Sequence, residues 1–378
     1  MTEDDLKETV QDCNLNFLLG SGLSCPFLTT LGNLESLLTQ VEESTAEARQ
    51  KAIVKASLYH HYFNSVISKN IQILESAPSA EEVSAQYELF LSRLNSILLK
   101  RKSTILSKEV NLFTTNIDIF LDRALEDLNL EYNDGFNGRF EPTFGLTNFK
   151  KSRFKKSLHY DKTAELPVFN LMKLHGSLSW QLAHDDVTFC VDLRHIRQVA
   201  TKALTSDRLV EVPSGATIDA LFKAAEKKIA DASTDAFMTA YEDLLIVINP
   251  TKDKFKHTLL NQTYYELLRL YSNELEKENT LLFVMGFSFA DEHIRQITVR
   301  AANSNPTLMI KVVAHTEKSK HDIQAQLGHD TLTNNNLEIV APEQEAGSGG
   351  VKVDKFKFDF KTINERIFDT LLKNIECE

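Results

Sequence analysis

Two kinds of run alternate along this chain. Short apolar runs stop abruptly at small or polar residues: Asn16-Phe17-Leu18-Leu19 before Gly20-Ser21-Gly22-Leu23-Ser24, Val110 to Thr114 before Thr115-Asn116-Ile117-Asp118, Val168 to Leu174 before His175-Gly176-Ser177, and Leu281 to Met285 before Gly286-Phe287-Ser288-Phe289. Leu244 to Ile248 and Met309 to Val313 are two further runs, and the β-branched first of them reads as a buried parallel strand. Other stretches repeat an apolar residue every third or fourth position, the period of a helix. These are residues 3–12 behind a Thr2 cap, 46–72, 81–101, the stretch from Asp118 to about Leu128, and 258–277. In 81–101, Tyr87, Phe90, Leu91, Leu94, Ile97 and Leu98 make one stripe.

Strands alternating with helices predict an α/β fold, a Rossmann-like doubly wound parallel sheet. No strand signal interrupts 46–105, which reads as a helical insertion, and 181–240 reads as a second small module with a strand at Val187 to Val191 and a Lys/Ala-rich helix. The core is then 14–45, 106–180 and 241–345. Gly347-Ser348-Gly349-Gly350 breaks the pattern, and 346–378 follows as a strand (352–360) and an amphipathic helix (361–376).

Composition narrows the function classes. With 378 residues, 42% of them hydrophobic, the chain can bury one large core. A net charge of -11 argues against a dedicated nucleic-acid binder, which needs a basic face. The basic run Lys150 to Lys156 reads as a solvated loop rather than a site for an acidic partner. Cys13, Cys25, Cys190 and Cys377 are all far apart, so no zinc ribbon or redox pair is expected, and His60, His61 and His159 have no ligand-like spacing. No metal is therefore expected. Isolated thiols, an acidic start without a signal peptide, and no apolar stretch long enough for a bilayer predict a cytoplasmic protein with no membrane contact.

In an open parallel sheet the polar residues that follow the strands lie along one edge, where ligands bind. Gly20, Ser21 and Gly22 suit a backbone drawn close to a diphosphate at a helix N-terminus. They equally suit a tight turn without a ligand, and Cys25 stands where the dehydrogenase fingerprint has its third glycine. Asn116 and Asp118 could hold ribose hydroxyls or a water, or cap the following helix. His175 could act as general base or be a satisfied core imidazole.

Four of these motifs resemble those of the sirtuin family, in the family's order. Gly20-Ser21-Gly22-Leu23-Ser24 resembles the sirtuin Gly-Ala-Gly-Ile-Ser turn, and Thr115-Asn116-Ile117-Asp118 is similar to Gln-Asn-Ile-Asp, with Thr115 in the Gln place. His175-Gly176 is similar to the catalytic His-Gly, and Gly286-Phe287-Ser288 resembles the Gly-Thr-Ser that lines the NAD ribose. The two Cys-x-x-Cys pairs of sirtuin deacetylases are missing, as is their peptide-binding strand. Asn133-Asp134-Gly135-Phe136, Asn249-Pro250-Thr251-Lys252 with Lys254-Phe255, and Gly286 to Ile294 resemble instead the bacterial anti-phage branch, and most of all the subunit that pairs with a HerA-type ATPase.

The resemblance implies an NAD+ hydrolase. Asn116 would orient ribose hydroxyls and water, and His175 would accept a proton, help typically worth ~10²–10⁴-fold. Gly20, Ser21, Gly22 and Ser24 would hold the diphosphate. Asp118 would fix the loop or bond the nicotinamide amide, Thr115 would contact the cofactor beside it, Gly286, Phe287 and Ser288 would line the adenosine ribose, and His315 would border the adenine. It also implies a homo-oligomer gated by the HerA-type ATPase. The apolar faces Leu91/Leu94/Leu98 and Ile363/Ile367/Leu371 could pack on neighbouring copies or on the chain's own core. Two alternatives stay open: a protein deacylase or ADP-ribosyltransferase at the same site, and a regulatory domain that binds NAD or ADP-ribose without turnover.

Overall fold

The computed structural model describes residues 9–30, 32–101, 105–183, 186–247, 258–328, 332–346 and 352–376. Its strands, in chain order, are β1 (Asn14–Leu19), β2 (Glu109–Thr114), β3 (Glu131–Asn133), β4 (Phe136–Asn137), β5 (Thr143–Phe144), β6 (Arg153–Lys156), β7 (Thr163–Leu166), β8 (Val168–Lys173), β9 (Trp180–Ala183), β10 (Asp186–Phe189), β11 (Thr280–Met285), β12 (Leu308–Val313), β13 (Leu337–Val340), β14 (Gln344–Ala346) and β15 (Lys352–Asp354). Seven of them form one parallel sheet in the order β13-β12-β11-β1-β2-β8-β3. On one side of β1 lie β2, β8 and β3, with β8 inserted between two strands that precede it in the chain; β11, β12 and β13 follow on the other side. Strand order therefore reverses at β1, and the crevice at the carboxyl ends of β1, β2, β8 and β11 is where such a sheet takes ligands.

Alternate residues of the central strands point to opposite layers, as the two-residue period requires. Phe17, Leu112, Leu171 and Phe283 join a core with the helices of 34–99 and of the C-terminus. Leu18, Phe113, Met172 and Val284 face the helices Thr258–Leu275 and Glu292–Ser304. The expected doubly wound α/β sheet is present, covered on both faces.

One polar row crosses this sheet. The third residue of each of four neighbouring strands is asparagine: Asn16, Asn111, Asn170 and Asn133 are register partners on β1, β2, β8 and β3. Their amides bond side to side, Asn111 Nδ2 to Asn16 Oδ1 at 2.8 Å, Asn170 Nδ2 to Asn111 Oδ1 at 3.0 Å and Asn133 Nδ2 to Asn170 Oδ1 at 2.8 Å. Buried Glu274 accepts from Asn111 Nδ2 at 3.1 Å and is neutralised by Lys150 and Lys277. Buried polar groups of this kind are tolerated because they are paired.

Several segments depart from the sequence reading. After β1 there is a single 3₁₀ turn, Ser21–Ser24, and the first α-helix of this region starts only at Leu34. Two glycines and Pro26 oppose helix there. Leu244 to Val247 is not a parallel strand. Leu244 ends the helix Ala232–Leu244, and Val247 makes an isolated antiparallel bridge to Gly176, while Ile248 lies outside the described residues. An apolar β-branched run fits a buried helix end and linker as well as a strand. The basic run is partly strand, with Arg153–Lys156 as β6 in an exposed hairpin with β7. The expected strand 352–360 shortens to β15, paired with β14, and helix begins at Phe360 behind the Asp359 cap.

The two apolar faces considered for contacts between copies are used internally. Leu91, Leu94 and Leu98 of the helix Pro78–Leu99 are buried with Ile363 and Leu371 in one core, and Ile367 packs against it. Phe368 sits among Phe17, Phe90 and Phe283, at ring-centroid distances of 6.1, 5.0 and 5.6 Å.

Candidate functional site

A cavity of about 380 Å³ opens at the reversal of strand order, within the range of small-molecule sites. Ser21, Gly22, Ser24, Thr115, Asn116, Asp118, His175, Gly286, Phe287 and Ser288 line it, so four sequence motifs converge on one space. Gly20 and His315 do not. Gly20 acts through its backbone. His315 is exposed just beyond β12, where its Nδ1 lies 3.1 Å from the carbonyl of Phe358, and the Phe358 N–H donates to the His315 carbonyl. The Asn249 to Phe255 motif lies outside the described residues.

The glycines have a use different from the expected one. A Cβ on Gly20 would lie 2.3 Å from the carbonyl oxygen of Gly286, and one on Gly22 would lie 3.0 Å from Gly286 Cα. Gly286, at φ +64, has the left-handed backbone that favours glycine, and a Cβ there would meet Leu23 at 2.8 Å. These residues let the β1 and β11 loops touch backbone to backbone, pinned by Gly22 N–H to Gly286 O at 3.0 Å. The 3₁₀ turn offers no helix dipole to a diphosphate.

Asn116 is 4% exposed and lies within the turn that follows β2. Its backbone N–H bonds Thr114 Oγ1 at 3.0 Å, and Thr114 Oγ1 donates to Leu19 O at 3.0 Å, so the β1 and β2 ends are locked together. Its side-chain Nδ2 donates to Gly20 O at 3.2 Å and reaches Ser24 Oγ and Tyr87 OH, each at 3.4 Å. A carbonyl can only accept, so the amide nitrogen faces Gly20 and the oxygen points the other way. Among the described residues Asn116 Oδ1 has no hydrogen-bond partner although it is buried.

Asp118 accepts from Ser24 Oγ at 2.7 Å and from the Phe120 N–H at 3.2 Å. Burial raises its carboxyl pKa, while the Lys173 ammonium and these donors pull the other way. Lys173, at the end of β8, donates to the Asp118 carbonyl and pairs with Asp122 at 2.6 Å. Burial also drives the Tyr87 hydroxyl well above its ordinary range.

His175 faces the cavity just beyond β8. Its Nε2 stands 3.2 Å from Asp291 Oδ2, near enough for an ion pair yet not aligned as a hydrogen bond, so among the described residues Nε2 has no hydrogen-bond partner. Asp291 also caps the helix Glu292–Ser304 through Ile294 N–H at 3.1 Å, which fixes the carboxylate beside the imidazole. Gly176, at φ +77, gives the chain room to pass Ile246, whose oxygen would lie 2.7 Å from a Cβ.

Tyr87, Asp291, Tyr62 and Glu35 escaped the sequence reading, although Asp291 and the latter two line the cavity. Asp291 lies within the Gly286 to Ile294 motif, and its place three residues before Ile294 marks it as a helix cap; its approach to His175 has no local signal. Two orphaned buried atoms, Asn116 Oδ1 and His175 Nε2, thus border one cavity, the pattern expected of polar groups that await a polar ligand. No metal-ligating group of three or more His, Cys, Asp or Glu occurs among the described residues.

No curated protein matches this chain. The SIR2-like domain model matches residues 110–339, taking in β2 to β13 and the Asn116, His175 and Gly286 motifs. The match leaves out β1 and Gly20 to Ser24, although the fold places β1 at the centre of the sheet and Ser21, Gly22 and Ser24 in the cavity wall. Since it spans more than half of the 378 residues, the chain belongs to the SIR2-like domain family, whose domains are typically NAD-dependent enzymes.

Proposed function

We propose that the chain is an NAD+ glycohydrolase, converting NAD+ and water to nicotinamide, ADP-ribose and a proton. The observation that carries the reading is Asn116 Oδ1, buried, partnerless among the described residues and set by an amide whose nitrogen bonds Gly20 O, on the same cavity as His175. Breaking the nicotinamide–ribose bond builds positive charge on the sugar carbon. A fixed amide oxygen backed by the buried Asp118 carboxyl suits that charge and can hold a ribose hydroxyl or the attacking water. His175 Nε2 accepts the water's proton, and the Asp291 carboxylate beside it stabilises the imidazolium that results. Ser21 and Ser288 supply hydroxyls for the rest of the dinucleotide, beside the close-packed Gly22 and Gly286.

The wider reading is bacterial anti-phage defence by NAD+ depletion in the cytoplasm, in a homo-oligomer gated by a HerA-type ATPase. It is supported by the resemblance and by the need to silence a cell-killing hydrolase. With the two internal faces taken up, exposed side chains on the β6–β7 arm and on the β4–β5 loop favour contact between copies: Phe140, Phe154, Leu158 and Tyr160 are 99%, 64%, 94% and 73% exposed.

Purified protein incubated with NAD+ tests the activity. Free ADP-ribose without an acetylated peptide is expected, and Asn116→Ala and His175→Ala should each lower the rate at least about 100-fold. Peptide-dependent acetyl-ADP-ribose, or His175→Ala turning over at the parent rate, would overturn the assignment. Co-expression with a HerA-type ATPase should yield a stable complex; its absence would count against the partner.

A further inference from the structure

We propose that Tyr87, on the insertion helix Pro78–Leu99, is a positioning residue that holds the Asn116 amide with its oxygen toward the cavity. This deepens the hydrolase reading and rests on it for the kinetic part only.

Tyr87 is fully buried, and its hydroxyl lies 2.9 Å from Ser24 Oγ and 3.4 Å from Asn116 Nδ2. The direction of each bond follows from the ends. Ser24 Oγ donates to the Asp118 carboxylate at 2.7 Å, so its lone pairs face Tyr87, whose O–H donates to them. The phenol oxygen then accepts from Asn116 Nδ2, whose other hydrogen goes to Gly20 O at 3.2 Å. The chain Asn116 to Tyr87 to Ser24 to Asp118 thus runs one way from an amide to a carboxylate, and each link polarises the next. With both hydrogens of Nδ2 taken on one side, Oδ1 is left on the other.

The ring is held independently of its hydroxyl. It stacks on Phe120, with centroids 5.2 Å apart and planes 9° apart, and meets Phe360 of the C-terminal helix edge-on at 4.9 Å. Tyr87 and Phe360 both lie outside the stretch matched by the SIR2-like family, residues 110–339. The insertion and the C-terminal helix are thereby built into the site, through one phenol that touches the reacting groups only by way of Asn116.

Tyr87→Phe keeps the ring and removes the hydroxyl. We expect kcat for NAD+ loss to fall about tenfold with KM within twofold, while the same change made on Asn116→Ala has no further effect. Tyr87→Phe at the parent rate, or an equal loss on Asn116→Ala, would overturn the proposal, the latter because it marks a purely structural role. A ligand-free crystal structure of Tyr87→Phe reads the same claim without catalysis. An Asn116 amide turned from Gly20 O supports the proposal, and one in its parent orientation sinks it. If the parent protein does not hydrolyse NAD+, the hydrolase reading falls and the crystallographic outcome alone decides the role of Tyr87.

Discussion

Asp134, two residues before Phe136 on β4, carries a carboxyl that burial pushes up to about 6, against the pull of the Phe136 N–H donated to its Oδ1 at 2.9 Å. Between an ordinary value of 3.8 and this raised one, the folded chain binds more protons than the unfolded chain. Stability should therefore fall as pH rises from about 4 to 6, and above that the folded state carries the whole cost of a buried carboxylate. Asp134→Asn keeps the acceptor and removes the charge. It should flatten this part of the profile and stabilise the protein at pH above 7 by roughly 1–2 kcal/mol. Melting curves at acid and neutral pH check this, and superimposable profiles for parent and variant would refute it. At this scale Asn116, Asp118 and His175 were legible because each follows an apolar strand. Tyr87 was not, because it sits in a helical stripe whose period speaks only of burial, and its contact with Asn116 joins segments 29 residues apart. Lys173 was hidden as the last residue of an apolar run, where only the fold shows it bridging Asp118 and Asp122.

Among the elements, the long central strands were readable from their apolar runs, and the short edge strands were not. β3 has three residues and β13 four, with charged or exposed positions in both, and pairing with a neighbour rather than composition makes them strands. The small sheet β4-β5-β10-β9 is also a product of tertiary packing. Phe136 gathers Phe144, Trp180 and Phe189 around it at 5.4, 5.9 and 5.3 Å, so aromatic rings hold this module together. The C-terminal helices look like an appendage in the sequence, yet Phe368 is 2% exposed among three rings of the core, and Arg93 pairs with Asp369. Phe368→Ala should cost about 3–5 kcal/mol. Because Phe360 in the same segment braces Tyr87, hydrolysis should fall with it even below the melting temperature. A loss under 1 kcal/mol in urea unfolding would show that the segment is only draped over the core.

For the molecule as a whole, the distribution of charge separates the arm from the body. Residues 150–162 hold Lys150, Lys151, Arg153, Lys155, Lys156 and Lys162 against a single acid, Asp161, in a chain of net charge -11. A basic arm with exposed Phe154 and Leu158 is thus matched by an acidic remainder, which suits contact with another copy of the same chain. In the proposed oligomer, Phe154→Ser with Leu158→Ser should shift the light-scattering mass toward the monomer, and raised salt should do so in part. An unchanged mass would move the interface elsewhere. The architecture was legible from strand–helix alternation, whereas the inward use of the Leu91/Leu94/Leu98 face was not, since a helical stripe does not say what covers it.

The row of asparagines has a bearing on how the sheet is found rather than on how it is held. Parallel strands made only of apolar residues could slide past one another and still bury oil against oil. Here a slip of one residue between β2 and β8 would turn one set of amides to the opposite layer, and a slip of two would part Asn111 from Asn170. Each stranded amide would cost about 1–3 kcal/mol, so a misaligned intermediate is penalised several times over before its helices dock. Replacing all four by aliphatic residues should therefore leave a chain that collapses readily yet refolds to a mixture, visible as broadened amide resonances and a lower recovered yield. The buried amide acts as a proofreader of strand alignment, and it stands at the same place, third, in β1, β2, β3 and β8.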